Sequence, residues 1–327
     1  MRAVVCRAWG AVEDLTLEDA PAPRPGRGEV LIDVRATAVN YADALLVAGR
    51  YQTKPPLPFS PGLETAGVVA ACGEGVTRFS PGDRVMAVLA YGGLAEQAVA
   101  PEAETFAIPA GMSFEEAGAF PIAYISSHVA IRWQGRLEPG ETLLVLGAAG
   151  GVGLTAVEIG KAMDARVIAG ASTAEKLAVA RERGADALVN YATETLTERV
   201  MALTDGKGAD VCFDPIGGDL FDAALSALGW GGRILLVGFV GGVQQIPANR
   251  LLVKHRAALG SSLRYFRWHA PDKLRRSVDE LLRWYAEGRL RPLIYRRLPL
   301  ERTVEAIRLL TDRKAHGKIV IVSRERS

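Results

Sequence analysis

The sequence has few cysteines, and their spacing argues against two common ways of stabilising a small domain. Among 327 residues there are three, Cys6, Cys72 and Cys212, which lie far apart and form no CxxC pair. A disulfide framework needs a denser set, and a structural zinc site needs closely spaced ligands. We therefore expect neither. The cysteine content is typical of a reducing compartment, which predicts a cytoplasmic location.

Histidine is also scarce. The chain has four, His128, His255, His269 and His316, with no HExxH motif and no paired spacing. Zinc enzymes draw ligands from histidine, cysteine and carboxylates, often at short spacing on one element. We therefore expect no metal centre and interpret each histidine as structural or as a surface residue.

Strong net charge and long apolar runs are absent as well. The formal net charge is +2, and hydrophobic residues make up 49% of the chain. Such a balance gives no strong pull toward nucleic acid, and no apolar run approaches membrane-spanning length. The start, MRAVVCRAWG, is too short and too interrupted for a signal peptide. We expect a globular protein with a small-molecule substrate and with neither a nucleic-acid nor a membrane partner.

Residues 1–122 have a β-rich pattern. Short β-branched runs alternate with Pro and Gly clusters, which favours a small barrel or sandwich. A helix is expected at Tyr41–Ala48, and another at Ser113–Ile131, where Ser113 and Glu116 have the spacing of a capping box. The predicted strands are Ala3–Cys6, Glu29–Ala36, Gly67–Ala71 and Asp83–Val88.

A different pattern begins at Glu141 with the stretch ETLLVLGAAGGVG. An apolar run, a glycine cluster and a run of helix formers predict a strand, a tight turn and a helix. Such a turn lets a phosphate approach the backbone and the helix amino terminus. Aligned on Gly153, the usual three-glycine fingerprint reads Ala148, Gly150, Gly153, so alanine replaces its first glycine. The alternative is a glycine-rich surface loop.

Strands and helices then alternate, which is typical of a parallel sheet covered by helices, with ligands at the carboxyl ends of its strands. The run Ile234–Phe239 is expected to be an apolar edge strand that needs covering. The predicted strands are Thr142–Leu146, Arg166–Ala169, Ala187–Val189, Asp210–Phe213 and Arg233–Val237. The predicted helices are Val152–Met163, Ala174–Glu182, Leu196–Leu203 and Leu220–Leu228.

The pattern changes again near residue 266. A helix at Lys273–Ala286, a strand near Ile294–Leu298, a helix at Val304–Thr311 and a strand at Lys318–Val322 are expected. These elements need a partner to pack on, and we predict that they return to the first domain. Residues 1–122 and 266–327 then form one domain, and residues 123–265 form a second domain inserted into it.

The second strand of the inserted domain bears on the choice of dinucleotide. Sites for NAD usually place an acid about 20 residues after the glycines to hold the ribose 2′-OH. Here Gly170 and Ala171 stand at that position. Without the carboxylate a 2′-phosphate is not repelled, and Ser172 and Lys176 offer hydrogen bonds to it. The alternative for Lys176 is an ordinary exposed helix lysine.

Several segments in order resemble one family. They are NYADALLVAGRY, PGLETAG, GAAGGVG, ASTAEK, VNY, DPIGG, VGF and GKIVI. Together they resemble the zinc-independent quinone oxidoreductases of the medium-chain dehydrogenase/reductase superfamily over nearly the whole chain. The resemblance implies an α/β fold, in which a GroES-like β-rich domain carries an inserted Rossmann doubly wound parallel sheet. It also implies NADPH in the interdomain cleft and a homodimer.

The resemblance also implies site residues. Ser172, Lys176 and Tyr191 match contacts to the 2′-phosphate, and Asn40 and Arg313 match further cofactor-facing positions. Zinc-dependent members of the superfamily have cysteine and histidine where this chain has Asn40 and Leu63, and neither replacement is a good zinc ligand. The pyrophosphate turn matches Ala149, Gly150, Gly151 and Val152, and the nicotinamide half matches Phe239, Ser262 and Leu263.

The expected chemistry is hydride transfer from NADPH to a quinone or another electron-poor α,β-unsaturated carbonyl, without metal. Negative charge then develops on oxygen, and a donor must stabilise and protonate it. Tyr51 and Asn40 are the catalytic candidates. The alternatives are packing of Tyr51 against Pro55–Pro61 and helix capping by Asn40. Tyr124 and Ser127 are weaker candidates to reach the cleft.

Two other functions remain open at this level. An enoyl-thioester reductase acting on acrylyl-CoA-like substrates would share the fold, the cofactor and the hydride step, and the arginines of the carboxyl-terminal third would bind a CoA phosphate. A non-catalytic NADPH-binding protein would share the fold and the cofactor but not the hydride step. Assays with 1,4-naphthoquinone and with crotonyl-CoA distinguish these functions.

Overall fold

The chain forms two compact units. The computed structural model describes residues 1–323. Unit 1 comprises Met1–Ile122 together with the chain from Pro292 onward, and unit 2 comprises Ala123–Arg291. The first division falls at the predicted residue, but the chain returns to unit 1 at Pro292 rather than at residue 266. The reason is that the helix after residue 270 packs within unit 2, where Trp133 Nε1 donates to Ser277 Oγ at 2.8 Å.

Unit 1 begins with a strand-rich segment. Its elements are β1 (Arg2–Val5), β2 (Thr16–Asp19), β3 (Glu29–Ala38), α1 (Tyr41–Val47), β4 (Glu64–Cys72), β5 (Arg84–Val88), β6 (Gln97–Pro101), β7 (Thr105–Ala107) and α2 (Phe114–Gly118). The predicted strands and the helix after β3 are confirmed within a few residues.

The predicted helix at Ser113–Ile131 is wrong as a single element. Ser113 does cap α2, since its Oγ accepts from Glu116 N at 3.2 Å while the Glu116 carboxylate accepts from Ser113 N at 3.0 Å. The helix ends at Gly118, before α3 (Pro121–His128) and a π-helical turn over Val129–Gln134. Pro121 cannot donate a helical hydrogen bond, so it begins a new helix rather than continuing the old one.

Unit 2 then alternates strands and helices. Its further elements are β8 (Thr142–Leu146), α4 (Gly151–Ala162), β9 (Arg166–Ala171), α5 (Ala174–Glu182), β10 (Ala187–Asn190), α6 (Leu196–Leu203), β11 (Ala209–Asp214), α7 (Asp219–Ala227), β12 (Leu228–Leu236), α8 (Ala248–Val253), β13 (Ala257–Gly260), α9 (Leu263–His269) and α10 (Pro271–Ala286). The chain ends in unit 1 with β14 (Ile294–Pro299), α11 (Thr303–Thr311) and β15 (Lys318–Val322).

The strands of unit 2 form a parallel sheet in the order β10-β9-β8-β11-β12-β13. This is a Rossmann-type doubly wound sheet, as predicted. The predicted edge position of Ile234–Phe239 is wrong, because β13 pairs with β12 and places Ala258 beside Ile234. The exposed edge of the sheet on that side is therefore β13.

The main sheet of unit 1 has the order β14-β15-β3-β4-β5-β7, with β6 also paired to β3. The pairings of β3 with β4 and β15 are antiparallel. The carboxyl end of β3 therefore lies beside the amino ends of both neighbours. Among residues 1–323, every helix is too short or too polar to cross a membrane.

Candidate functional site

The predicted cofactor residues of unit 2 lie along one edge of its sheet, the edge formed by the carboxyl ends of the strands and not by the edge strand β13. All the strands run parallel, so their carboxyl ends meet there. The Ala149–Val152 turn follows β8, Ser172 and Lys176 follow β9, Tyr191 follows β10, Phe239 follows β12, and Ser262 and Leu263 follow β13. Ligands of open α/β sheets bind at this edge, and residues far apart in sequence converge on it.

The turn after β8 has the geometry of an anion site. Gly150 N donates to Gly147 O at 2.9 Å, and α4 starts at Gly151. Its first N–H groups, on Gly151 and Val152, have no intrahelical acceptor, as in every α-helix. A Cβ on Gly153 would lie 2.1 Å from Gly147 O, so only glycine permits this close approach. The turn can therefore present N–H groups and the positive end of the helix dipole to a phosphate.

Side-chain hydrogen bonds join the first turn of α4 to α3. Ser127 Oγ donates to Val152 O at 2.9 Å, and Thr155 Oγ1 donates to Ala123 O at 3.2 Å. Tyr124 Oη donates to Glu158 Oε2 at 2.5 Å. Tyr124 and Ser127 are both buried, so the structure uses these two candidates to support the turn.

The candidate 2′-phosphate residues lie side by side. Ala171 at the end of β9 pairs with Asn190 of β10, and Tyr191 N donates to Ala171 O at 3.1 Å. A Cβ on Gly170 would lie 3.4 Å from the Tyr191 ring. Thr173 caps α5 by accepting from Lys176 N at 3.3 Å. Ser172, Lys176 and Tyr191 are each partly exposed, and they follow the carboxyl ends of the neighbouring strands β9 and β10.

The other end of the edge is formed by the loops after β12 and β13. Phe239 is 49% exposed, an unusual state for a phenylalanine in a loop that is otherwise bonded to its neighbours. Ser262 is the N-cap residue of α9, and Ser261 N donates to Leu236 O at 3.0 Å, which joins the ends of β13 and β12. Phe239, Ser262 and Leu263 thus belong to one strip of the sheet edge.

Unit 1 contains a buried polar cluster around Asn40. Lys318 Nζ donates to Asn40 Oδ1 at 2.6 Å and to Glu64 Oε1 at 2.9 Å. Asn40 Nδ2 donates to Glu64 Oε1 at 2.9 Å and to Ala38 O at 3.2 Å. Asn40 follows β3, Glu64 begins β4 and Lys318 begins β15. The antiparallel register of these strands therefore brings together three residues that are distant in sequence.

A second carboxyl lies against this cluster. Asp43 accepts from Asn40 N at 2.7 Å and from Gly62 N at 3.0 Å, and its side chain is fully buried. Burial raises the pKa of Asp43 to about 7, although the two N–H donors and the Lys318 ammonium act in the opposite direction. The other Glu64 oxygen, Oε2, accepts from Ile122 N at 2.8 Å.

The two catalytic candidates differ in what their side chains already do. Both N–H groups of the Asn40 amide donate to other oxygens, and its carbonyl accepts from Lys318. Asn40 is the N-cap residue of α1, but its side chain makes no cap hydrogen bond. The Tyr51 ring packs against an apolar cluster that includes Phe59 and Leu63. Tyr51 therefore makes packing contacts of the kind that its alternative interpretation describes.

The remaining predicted residue, Arg313, follows α11 on an exposed turn of unit 1, with a positive φ of 59°. Residues 1–323 contain no group of three or more His, Cys, Asp or Glu side chains that could hold a metal ion. Where zinc-dependent relatives would have cysteine and histidine, the described chain has an amide, Leu63 and a nearby ammonium.

Comparison with known proteins agrees with this architecture. Residues 26–110 match a family model for the alcohol dehydrogenase GroES-like domain, and residues 151–285 match one for zinc-binding dehydrogenases. The chain is 39% identical to a quinone oxidoreductase-like protein 2 homolog of Nematostella vectensis, over 99% of this chain and 89% of that protein. The chain belongs to the quinone oxidoreductase family of the medium-chain dehydrogenases/reductases.

Solved structures support the same assignment, and members of this family are oxidoreductases. A quinone oxidoreductase of Escherichia coli, solved with NADPH, superimposes with a TM-score of 0.93 at 27% identity, covering 99% of this chain and 100% of that one. The quinone oxidoreductase of Thermus thermophilus, also solved with NADPH, gives 0.86 at 34% identity with the same coverage. The GroES-like and Rossmann units predicted from the sequence are therefore confirmed.

Sequence reasoning missed the residues that support the site. Glu64 and Lys318 belong to two of the family segments, PGLETAG and GKIVI, but their pairing spans 254 positions. The sequence shows a lysine directly before an apolar run but not that it is buried, and only burial implies a partner, because lysine is almost never fully buried without one. Asp214 likewise belongs to a family segment, DPIGG, whereas Gln244 lies outside all of these segments.

Proposed function

We propose that this protein is an NADPH-dependent oxidoreductase that transfers hydride to a quinone or another electron-poor α,β-unsaturated carbonyl without a metal ion. The observation that carries the proposal is the single sheet edge in unit 2. A phosphate-binding turn lies at its centre, a cluster of Ser172, Lys176 and Tyr191 lies at one end, and exposed Phe239 lies at the other. A dinucleotide needs these three environments in this order.

The adenosine end supports NADPH over NADH. Lys176 provides a charge-assisted hydrogen bond, and Ser172 and Tyr191 provide hydroxyl donors. The position that would carry an acid is Gly170, whose open side is covered by the Tyr191 ring. The residues present therefore fit a 2′-phosphate and lack the carboxylate that would repel it.

Bound NADPH supplies the hydride, so the protein has to align the reactants and to stabilise the negative charge that develops on the acceptor oxygen. We assign Phe239, Ser262 and Leu263 to the nicotinamide half, and Asn40 and Arg313 to further contacts with the cofactor. Tyr51 is the proposed proton donor to the reduced acceptor. Asn40 is proposed to act through the field of its fixed amide dipole and not through a direct hydrogen bond to the acceptor, because both of its N–H groups already donate elsewhere.

The metal-free reaction rests on Lys318. Its ammonium lies 2.6 Å from Asn40 Oδ1 and 2.9 Å from Glu64 Oε1. These two oxygens would be the natural ligands for a divalent cation at this place, and the lysine already donates to both and neutralises the Glu64 carboxylate. A second positive charge within a few ångströms would be repelled strongly in a buried setting.

The proposed partner is a second copy of this chain. The β13 edge, Ala257–Gly260, is open on one side, and Trp230, Leu252 and Val253 beside it are 75%, 82% and 67% exposed. Edge strands with apolar neighbours tend to pair. We therefore propose a homodimer through β13, and size-exclusion chromatography with light scattering on Leu252→Asp would test it. The unbridged cysteines Cys6, Cys72 and Cys212 support the proposed cytoplasmic location.

Steady-state kinetics test the activity. We expect NADPH oxidation with 1,4-naphthoquinone, little with crotonyl-CoA, and no change on treatment with a chelator. Faster turnover of crotonyl-CoA would favour the enoyl-thioester reductase, although three of the carboxyl-terminal arginines, Arg283, Arg289 and Arg297, already form ion pairs with carboxylates. Tight NADPH binding without turnover of either substrate would favour a binding protein. Activity lost to a chelator and restored by zinc would contradict the metal-free reaction.

A further inference from the structure

The loop that carries Phe239 is bonded to the preceding strand loop at both of its ends. Val237 N donates to Asp214 O at 3.0 Å as β12 ends. Further along, Gly241 N donates to Ile216 O at 2.7 Å, and Gly242 O accepts from Gly218 N at 2.9 Å. The loop after β12 is thus joined to the loop after β11, and Phe239 stands exposed between the two attachments.

One side chain closes this arrangement. Gln244 Nε2 donates to Gly238 O at 2.7 Å and to Asp214 Oδ2 at 3.3 Å. Asp214 is fully buried, and its Oδ1 accepts from Ile216 N at 2.8 Å and from Gly217 N at 2.9 Å. A single amide therefore connects the residue before Phe239 to the carboxylate that shapes the neighbouring loop.

The surrounding backbone leaves little room for another arrangement. Gly217 has a φ of +68°, and a Cβ there would lie 2.3 Å from Gly242 O and 2.9 Å from Gln244 Nε2. The two loops approach too closely for a side chain at that point. The amide of Gln244 is consequently fitted between them rather than lying in solvent.

We propose that Gln244 is a positioning residue, which fixes the Phe239 loop through Asp214 and so sets the nicotinamide half of the cofactor. This inference rests on the proposed function, because it concerns the same cofactor site. Gln244 itself touches no reacting atom in this account. It acts on the geometry of Phe239, and misplacement of a reacting group by about 1 Å can cost roughly a hundredfold in rate.

The adjacent glutamine provides a matched control. Gln245 is exposed, and its side chain forms no hydrogen bond within residues 1–323. Gln244→Ala removes both bonds, Gln244→Met keeps the side-chain length without them, and Gln245→Ala changes the same residue type one position later. Each variant is compared for binding of 2′,5′-ADP, which reports only the adenosine end, for binding of NADPH, and for kcat/KM with 1,4-naphthoquinone.

We expect both Gln244 variants to keep the 2′,5′-ADP affinity of the wild type and to lose about tenfold or more in kcat/KM, while Gln245→Ala stays within about twofold. The proposal is overturned if the Gln244 variants match Gln245→Ala. It is also overturned if 2′,5′-ADP binding falls in parallel or if both variants melt well below the control, since the glutamine would then support the fold in general. A wild type that binds neither 2′,5′-ADP nor NADPH would overturn the proposed function, and this inference with it.

Discussion

Removing the Lys318 ammonium from the buried cluster of unit 1 should be strongly destabilising. Lys318 is 5% exposed and Glu64 is 0% exposed, and their charged atoms are 2.9 Å apart. Lys318→Met leaves the Glu64 carboxylate buried without its counter-charge and leaves Asn40 Oδ1 without its donor. Breaking a buried ion pair by removing one partner typically costs about 3–5 kcal/mol, and we expect a loss of that size in the free energy of unfolding.

A double variant separates the charge from the packing. In Lys318→Met with Glu64→Gln the Glu64 charge is removed together with its counter-charge, so most of the lost stability should return. Lys314→Met is the matched control, because that lysine is 65% exposed and its pair with Asp312 lies at the surface. Surface pairs contribute about 0–1 kcal/mol. Urea unfolding compares these three variants with the wild type. A loss below about 1 kcal/mol in Lys318→Met, or a double variant no more stable than the single one, would refute the reasoning.

Three further predictions follow from the geometry. Tyr51→Phe should lower turnover and leave NADPH affinity unchanged; unchanged turnover in the kinetic assay would assign Tyr51 to packing alone. Gly153→Ala should raise the dissociation constant of NADPH by about tenfold or more in a fluorescence titration, because the new Cβ must displace Gly147 O, which would lie 2.1 Å away. Burial raises the pKa of Glu158 to about 7 from its ordinary value of 4.5. A buried acid with a raised pKa stabilises the fold while it is protonated, and this contribution is lost as pH rises through the folded pKa. The free energy of unfolding of wild type should therefore fall by about 2–3 kcal/mol relative to that of Glu158→Gln between about pH 5 and about pH 8. Urea midpoints of the two proteins that run parallel across that range would contradict this.

Local patterns predicted the alternating unit and the last strand of unit 1 well. The bounds of Thr142–Leu146, Ala174–Glu182, Leu196–Leu203 and Lys318–Val322 match the structure. In these segments the apolar period, the cap and the turn residues all indicate the same element, so little depends on distant contacts. The glycine turn after β8 was predictable for the same reason.

The errors arose where tertiary contacts decide the outcome. The strand β13 is four residues long and has no alternation of its own, so the edge of the sheet was assigned to the wrong run. The helix after Ser113 breaks at Pro121, which periodicity alone did not reveal. The return to unit 1 was placed too early, because only packing shows that α10 belongs with the π-helical turn of unit 2.

The candidate site divides in the same way. Motif residues such as Gly150, Ser172 and Lys176 follow directly after strands, so the sequence locates them at the sheet edge. The partners Glu64, Lys318 and Gln244 act through bonds to residues elsewhere in the chain. No local pattern predicts such a bond, and the fold must be known first.

Recognition of the 2′-phosphate is the claim on which the account most depends. Dissociation constants of NADPH and NADH for wild type and Lys176→Glu measure it directly. We expect wild type to bind NADPH at least about tenfold more tightly than NADH, and Lys176→Glu to weaken NADPH far more than NADH. A wild type that prefers NADH, or a variant that loses both cofactors equally, would contradict the account.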